Sequence, residues 1–185
     1  MFSHSQDLIK DLEEKARRFR VQMIKIIYKV QSGHPGGSLS AMDILTSLYF
    51  HHMRINPQNP TWEDRDRFVF SKGHAAPALY VVLAELGYFP KEILFSLRQL
   101  RSILQGHPDM RKTPGVEMST GSLGNGLSVG IGMALGARLA RKNYHVYVLI
   151  GGGELDEGEI WEAAVAADKY ELNNFKIQGK VGAER

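Results

Sequence analysis

Cysteine is missing from all 185 residues, so neither a disulfide nor a thiolate metal site can form, and a reducing compartment suits such a chain. Long apolar runs are missing too: nothing approaches the ~20 residues that a membrane-spanning helix needs. The opening MFSHSQDLIKDLEE carries acids where a secretory signal requires an apolar stretch. A soluble, cytoplasmic protein with no membrane partner is expected. An excess of either charge is also lacking, with 23 Lys and Arg against 20 Asp and Glu, a formal net +3. The basic cluster Lys15, Arg17, Arg18 and Arg20 falls on a helical pattern and reads as a solvated face, with no nucleic-acid partner expected. There is no internal repeat and no low-complexity tract.

What is present, a chain 43% apolar, is enough for one core, and a single unit over residues 1–185 is expected. Leu8, Leu12, Ala16, Phe19, Met23, Ile26, Ile27 and Val30 recur at steps of three and four, predicting a long amphipathic helix from Ser5 to Gln31. SGHPGGS, Ser32 to Ser38, reads as an exposed turn holding His34, and Ser40 with Asp43 resembles a capping box for the next helix. Adjacent His51 and His52 point in different directions at its end and read as surface residues.

RFVFS, Arg67 to Ser71, reads as a strand leading into SKGHAAPA, where Pro77 suits the first turn of a helix burying Leu79, Val82, Leu83 and Leu86. His74 then lies near a helix N-terminus, where it either packs, caps or faces an anion. The stretch Gln99 to Thr120 has weak periodicity and carries His107 in a Gly/Pro frame; a structureless loop of that length is usually functional or disordered. In the following helix, Leu123 to Lys142, Gly126, Gly130, Gly132 and Gly136 each cost roughly 0.5–1 kcal/mol against alanine, so something is expected to pack very close. After Asn174, FKIQGKVGAER offers no strand that clearly extends a sheet.

His145 to Asn174 combines an apolar run, a glycine bend and an alanine-rich helical pattern, a strand-turn-helix unit that commonly frames a phosphate-bearing cofactor. The bend carries Glu154, Asp156, Glu157 and Glu159 and no lysine, so a diphosphate would be repelled unless a divalent cation stood between. A dinucleotide fingerprint needs glycine where Asp156 stands, and a P-loop needs lysine where Glu159 stands. Carboxylates that meet a metal, a cationic heterocycle or one another remain as readings. Strands alternating with helices predict an α/β fold, a mostly parallel sheet with helices on both faces.

Taken together, SGHPGGSLS, DRDRFVFSKGHAAPALY, LQGHPD, PGVEMSTGSLGNGLSVGIGMALGARL and GGGELDEGEIWEAA resemble the N-terminal, thiamine-diphosphate-binding half of transketolase, in the same order from Ser5 to about Phe175. The resemblance implies the thiamine-diphosphate-binding fold, incomplete here, and a cofactor of thiamine diphosphate with Mg2+, held between two chains or half-chains. It implies that His74 contacts the diphosphate side and that Gly121 with Leu123, Gly124, Asn125 and Gly126 lines the cofactor, as do Gly151, Gly152 and Gly153 of the bend. His34 and His107 match histidines that border the reacting carbons, and Glu157 and Glu162 match an acidic network near the subunit contact. The implied reaction moves a two-carbon ketol unit from a ketose phosphate to an aldose phosphate. It requires a C-terminal transketolase subunit, which carries the family's essential glutamate, and a homo- or hetero-oligomer follows.

The chain departs from the family's pattern at three places. The family's metal-ligating aspartate is Gly152 here, so no metal ligand is assigned, and Asp156 or Glu154 could substitute only with a rearranged backbone. A second family ligand, an asparagine, falls near Gly182, while Asn173 and Asn174 read as a helix stop. Asn125 stands where glutamine is usual. Residues 1–185 are therefore expected to be a C-terminally truncated N-terminal domain, active only with its partner. The alternative is a catalytically inactive remnant or assembly partner.

Overall fold

The computed structural model describes residues 5–180. Helix α1 (Gln6–Val30) starts where the Ser5 hydroxyl accepts from the Leu8 amide at 3.2 Å, and it stops where Gln31 turns left-handed at φ 52°. Its Ala16, Phe19, Met23 and Ile26 are buried at the spacing the sequence predicts. The basic residues on its outer face are paired: Lys15 with Asp11, Arg17 with Glu14, Arg20 with Asp43.

SGHPGGS is not a free turn. Helix α2 (Pro35–Ser47) takes in Pro35, Gly36, Gly37 and Ser38, with Pro35 in its first turn, where a missing N–H costs nothing. Ser40 lies inside this helix and its hydroxyl donates to the Gly37 carbonyl at 3.0 Å, so the expected capping box is not formed. A π-turn, Leu48–His52, ends the element and leaves His51 and His52 exposed.

Strands β1 (Arg67–Phe70), β2 (Val146–Gly151) and β3 (Phe175–Lys180) form an entirely parallel sheet in the order β1-β2-β3, Arg67 opposite Val146 and Val146 opposite Phe175. Buried Asp66 sets that register, accepting from the Arg54 and His145 amides, each at 2.8 Å. The strand β3 that the sequence leaves unassigned therefore exists; FKIQGK hides it because only Phe175 enters the core while Ile177 stays 43% exposed.

Parallel sheets need cover on both faces, and this one has it. On one side Phe68, Phe70 and Leu149 pack with α1, α2 and α3 (Ala76–Glu85). Every residue of α3 from Ala76 to Ala84 is buried, a helix apolar on all sides rather than on the one face expected. On the other side Val69, Val146, Val148, Ile150 and Phe175 meet α4 (Asn125–Leu139) and α5 (Gly158–Lys169). Between α3 and α4 the chain forms a 3-10 turn, Lys91–Ser96, and then no regular element, although Leu104 and Thr113 are buried. No helix among the described residues is long and apolar enough to cross a membrane.

The α4 glycines divide into two pairs. A methyl group at Gly126 would sit 2.8 Å from the Ser71 Cα, and one at Gly130 would sit 2.9 Å from the Phe175 ring, so close packing against the sheet explains these two. Gly132 and Gly136 face open space. Gly126→Ala is therefore expected to lower unfolding stability by about 1–3 kcal/mol through overpacking, whereas Gly132→Ala raises it by roughly 0.5–1 kcal/mol. Urea denaturation of the two variants decides; shifts of the same sign contradict the packing.

Candidate functional site

In parallel sheets, ligands sit beyond the carboxyl ends of the strands, and every predicted site residue except Glu162 lies on or beside that rim. Glu154, in the 3-10 turn Gly153–Asp156, organises it. This carboxylate is 1% exposed and accepts from the Ser71 hydroxyl just past β1, from the Gly124 amide ahead of α4 at 2.8 Å, and from the Gly151 amide at the end of β2 at 2.9 Å. One buried carboxylate, with donors on both oxygens, thereby fixes three chain segments. Sequence reasoning missed this role, because nothing in GGGELDEGE says which acid turns inward.

The three predicted histidines converge. His34 stands at the N-terminus of α2, His74 lies in the 3-10 turn Gly73–Ala75, and their rings stand edge to face with centroids 5.2 Å apart. Gly37 is needed here, since a Cβ would approach His74 Nε2 to 3.1 Å. His107 comes from the long loop, its ring 3.2 Å from where a Cβ of Gly121 would stand. The Tyr80 hydroxyl holds that loop from below, 2.9 Å from the Gln105 carbonyl. Burial lowers the His74 pKa below its ordinary 6.5, helped by His34, Lys72 and His107; burial also lowers that of His107, helped by Arg98 and His34.

Beside the histidines runs a groove of about 390 Å3, lined by Met118, Thr120, Gly121, Asn125, Gly126 and Glu159. Gly124, with φ 93°, turns the chain into α4 and occupies a conformation that favours glycine, and Leu123 is half-buried beside it. With its amide nitrogen towards the acid, Asn125 donates to Glu159 Oε1 at 2.9 Å and accepts from Ser122 at 3.3 Å. Glu159 is thus the acid that faces the groove, while Glu157 and Glu162 are exposed, alongside Trp161 and Val165, 61% and 70% exposed. A hollow of equal size between α1 and α2, lined in part by Leu8, Leu12, His51 and His52, contains none of the predicted site residues.

A divalent ion fits the described residues poorly. Glu154 is buried and aimed at its three donors, Asp156 is exposed, and no group of three His, Asp or Glu side chains among the described residues could hold a metal. Gly152 has ordinary helical backbone, φ −61° and ψ −49°, which an aspartate adopts without strain. Gly182 lies outside the described residues, and Asn174 serves structure, its side-chain nitrogen reaching the Ala134 carbonyl at 3.3 Å. The expectation of an unrelieved acidic bend is corrected in one respect: Lys72, 4% exposed, runs beneath Gly151, its Cδ 3.6 Å from a Cβ there and its Nζ 3.0 Å from Ser40 Oγ. Sequence spacing hid that cation because it arrives from β1, far along the chain.

Comparison with known proteins gives one answer. The thiamine diphosphate binding domain of transketolase matches residues 12–177. An apulose-4-phosphate transketolase subunit from Phocaeicola vulgatus is 46% identical over 167 residues, covering 90% of this chain and 59% of that one. A 6-deoxy-6-sulfo-D-fructose transketolase subunit from Clostridium sp. is 48% identical over 165 residues, 89% of this chain and 60% of that one. The crystal structure of transketolase from Campylobacter jejuni superposes with a TM-score of 0.87 at 40% identity, covering 91% of this chain and 28% of that one. The chain thus spans about 60% of the length of the subunit relatives.

The geometry makes two predictions. Glu154→Gln turns an amide N–H2 towards donors and is expected to cost about 1–3 kcal/mol in chemical denaturation; a loss below about 0.5 kcal/mol contradicts the clamp. His74 and His107 should titrate below 6.5 by NMR. Since the unfolded chain then binds more protons as pH falls, their contribution to stability is full above the unfolded value near 6.5 and is lost as pH drops through the lower folded values. Midpoints at or above 6.5 contradict the assignment.

Proposed function

The chain belongs to the transketolase thiamine diphosphate binding domain family, and on that premise we propose that it is the N-terminal, cofactor-binding part of a transketolase, active together with a C-terminal subunit. The observation that carries this reading is the convergence of His34, His74 and His107 on the rim that also presents the N-terminus of α4 and the Gly121–Gly126 groove. Relatives that carry the name of transketolase subunits support a chain that works with a separate partner. The substrates proposed are sugar phosphates, a ketose as donor of a two-carbon unit and an aldose as acceptor.

Thiamine diphosphate, when bound, would supply a nucleophilic carbon for carbon-carbon cleavage. This chain's residues bind and orient around it. His74 lies beside Lys72 and the first turn of α2, a setting suited to the diphosphate. Gly121, Leu123, Gly124, Asn125 and Gly126, with Gly151, Gly152 and Gly153, form the cofactor's walls. His34 and His107, the latter kept neutral near pH 7 by its lowered pKa, can hydrogen-bond substrate hydroxyls and move a proton at a ring nitrogen. Glu157 and Glu162, both exposed, are the residues proposed to meet the partner subunit.

Magnesium is the weak point, and it favours a second reading. Gly152 and a Glu154 buried against its three donors are what an inactive remnant or non-enzymatic assembly partner would show. Calorimetric titration of thiamine diphosphate with and without Mg2+, into the chain alone and with a C-terminal transketolase subunit, separates the two. Saturable binding with the partner is expected; silence in every arm supports the remnant. Gly152→Asp is expected to strengthen the magnesium-linked part by about 10-fold or more, and an unchanged affinity shows that residue 152 does not limit binding.

A further inference from the structure

Arg98 joins the two loops that carry His34 and His107. It follows the 3-10 turn Lys91–Ser96, and its backbone is left-handed at φ 61°, uncommon for a residue other than glycine. Its own amide donates to the Leu104 carbonyl at 2.9 Å. One guanidinium nitrogen donates to Ser32 Oγ at 3.0 Å, two residues before His34, and the other to the Gly106 carbonyl at 3.3 Å, one residue before His107. A Cβ at Gly106 would lie 3.1 Å from the guanidinium carbon, so glycine is what lets the fork lie against that backbone. Among the described residues, this fork is the hydrogen-bonded link between the loop at 32–34 and the loop at 104–107.

We propose that Arg98 is a positioning residue that sets the spacing between His34 and His107, by bridging their loops with a single planar fork. The inference rests on the reading of these two histidines as the pair bordering the reacting carbons. An arginine suits the task because its donors diverge in a fixed plane towards two acceptors, whereas a lysine ammonium is a point donor on a flexible stem and does not span both. Arg98 acts through the histidines and need not touch substrate.

The same side chain acts on His107 electrostatically. The charged or titratable groups around His107 are Arg98 from the loop after the 3-10 turn, His34 from the start of α2, His74 from the turn before α3, and Tyr80 from α3, whose hydroxyl lies 3.2 Å from the His107 carbonyl. After burial, Arg98 is the largest influence keeping that imidazole neutral, so removing its charge moves the His107 titration upwards.

The test uses the isolated chain and three variants, Arg98→Met, Arg98→Lys and Ser32→Ala, with circular dichroism to confirm that each folds. Backbone order parameters are measured at Ser32, Gly33 and Gly106, and the His107 imidazole is titrated by NMR. Arg98→Met is expected to lower the order parameters of both loops together, from rigid values near ~0.85 towards ~0.6, and to raise the His107 midpoint. Arg98→Lys should loosen both loops while leaving the midpoint near its original value. Ser32→Ala should loosen residues 32 and 33 and spare Gly106. Arg98→Met loosening neither loop or one alone, or Arg98→Lys keeping both rigid, overturns the bridge. In the complex with a C-terminal partner, misplacement by about 1 Å is worth on the order of 100-fold in turnover, to be read as kcat with KM little changed. Because loop order is read without cofactor, a failed bridge leaves the transketolase reading standing, and an absence of cofactor binding by the wild type leaves the bridge standing.

Discussion

A carboxylate taken out of water must be met by donors, and Glu154 meets three from segments far apart in sequence. The end of β1, the entry to α4 and the end of β2 are each held by it, and the groove and the histidine cluster are built on those same segments. The consequence is orientation. Oε1 accepts from Ser71 and Gly124 and Oε2 from Gly151, so the carboxylate is aimed into the protein, and turning it outward onto a metal breaks three hydrogen bonds. Glu154 explains both why the rim is ordered and why this chain, with glycine at 152, lacks an obvious magnesium ligand.

The rim's electrostatics follow from which groups turn towards it. Asp156 and Glu157 are exposed, Glu154 is turned inward onto its donors, and Glu159 answers the Asn125 amide, so the repulsion that the composition of the bend suggests is largely directed elsewhere. Lys72 comes up beneath Gly151, α2 starts at His34 beside the His74 ring, and α4 starts at Gly124, whose amide is held by Glu154. His74 and His107 are pushed towards the neutral state first by burial and then by cationic neighbours, which keeps them available both to donate and to accept. An anionic cofactor tail is compatible with that arrangement.

Much of this was legible in the residues, and what was not has physical reasons. The 3-4 spacing of α1 and the apolar runs of β1 and β2 report burial directly, and it was the resemblance to the family, not any local pattern, that implied a common site for His34, His74 and His107. SGHPGGS misled because glycine and proline mark turns in general, yet Pro35 belongs to a helix's first turn and Gly37 is small to admit the His74 ring. Strand β3 was obscured by Lys176 and Gln178, polar residues on a strand held chiefly by its backbone pairing to β2. Of the four glycines in α4, spacing could not tell the pair pressed on Ser71 and Phe175 from the pair facing open space. Glu154, Lys72 and Arg98 escaped altogether, since an inward carboxylate, a cation crossing under a bend and a bridge between loops are relations in space that no local pattern encodes.

Diffraction from crystals of the chain grown with thiamine diphosphate and Mn2+, using the anomalous signal of manganese, tests the central claim most directly. The account predicts a Glu154 that still accepts from Ser71, Gly124 and Gly151, with no manganese bonded to it. A Glu154 carboxylate swung out onto the ion, with Gly124 and Gly151 released, would contradict it.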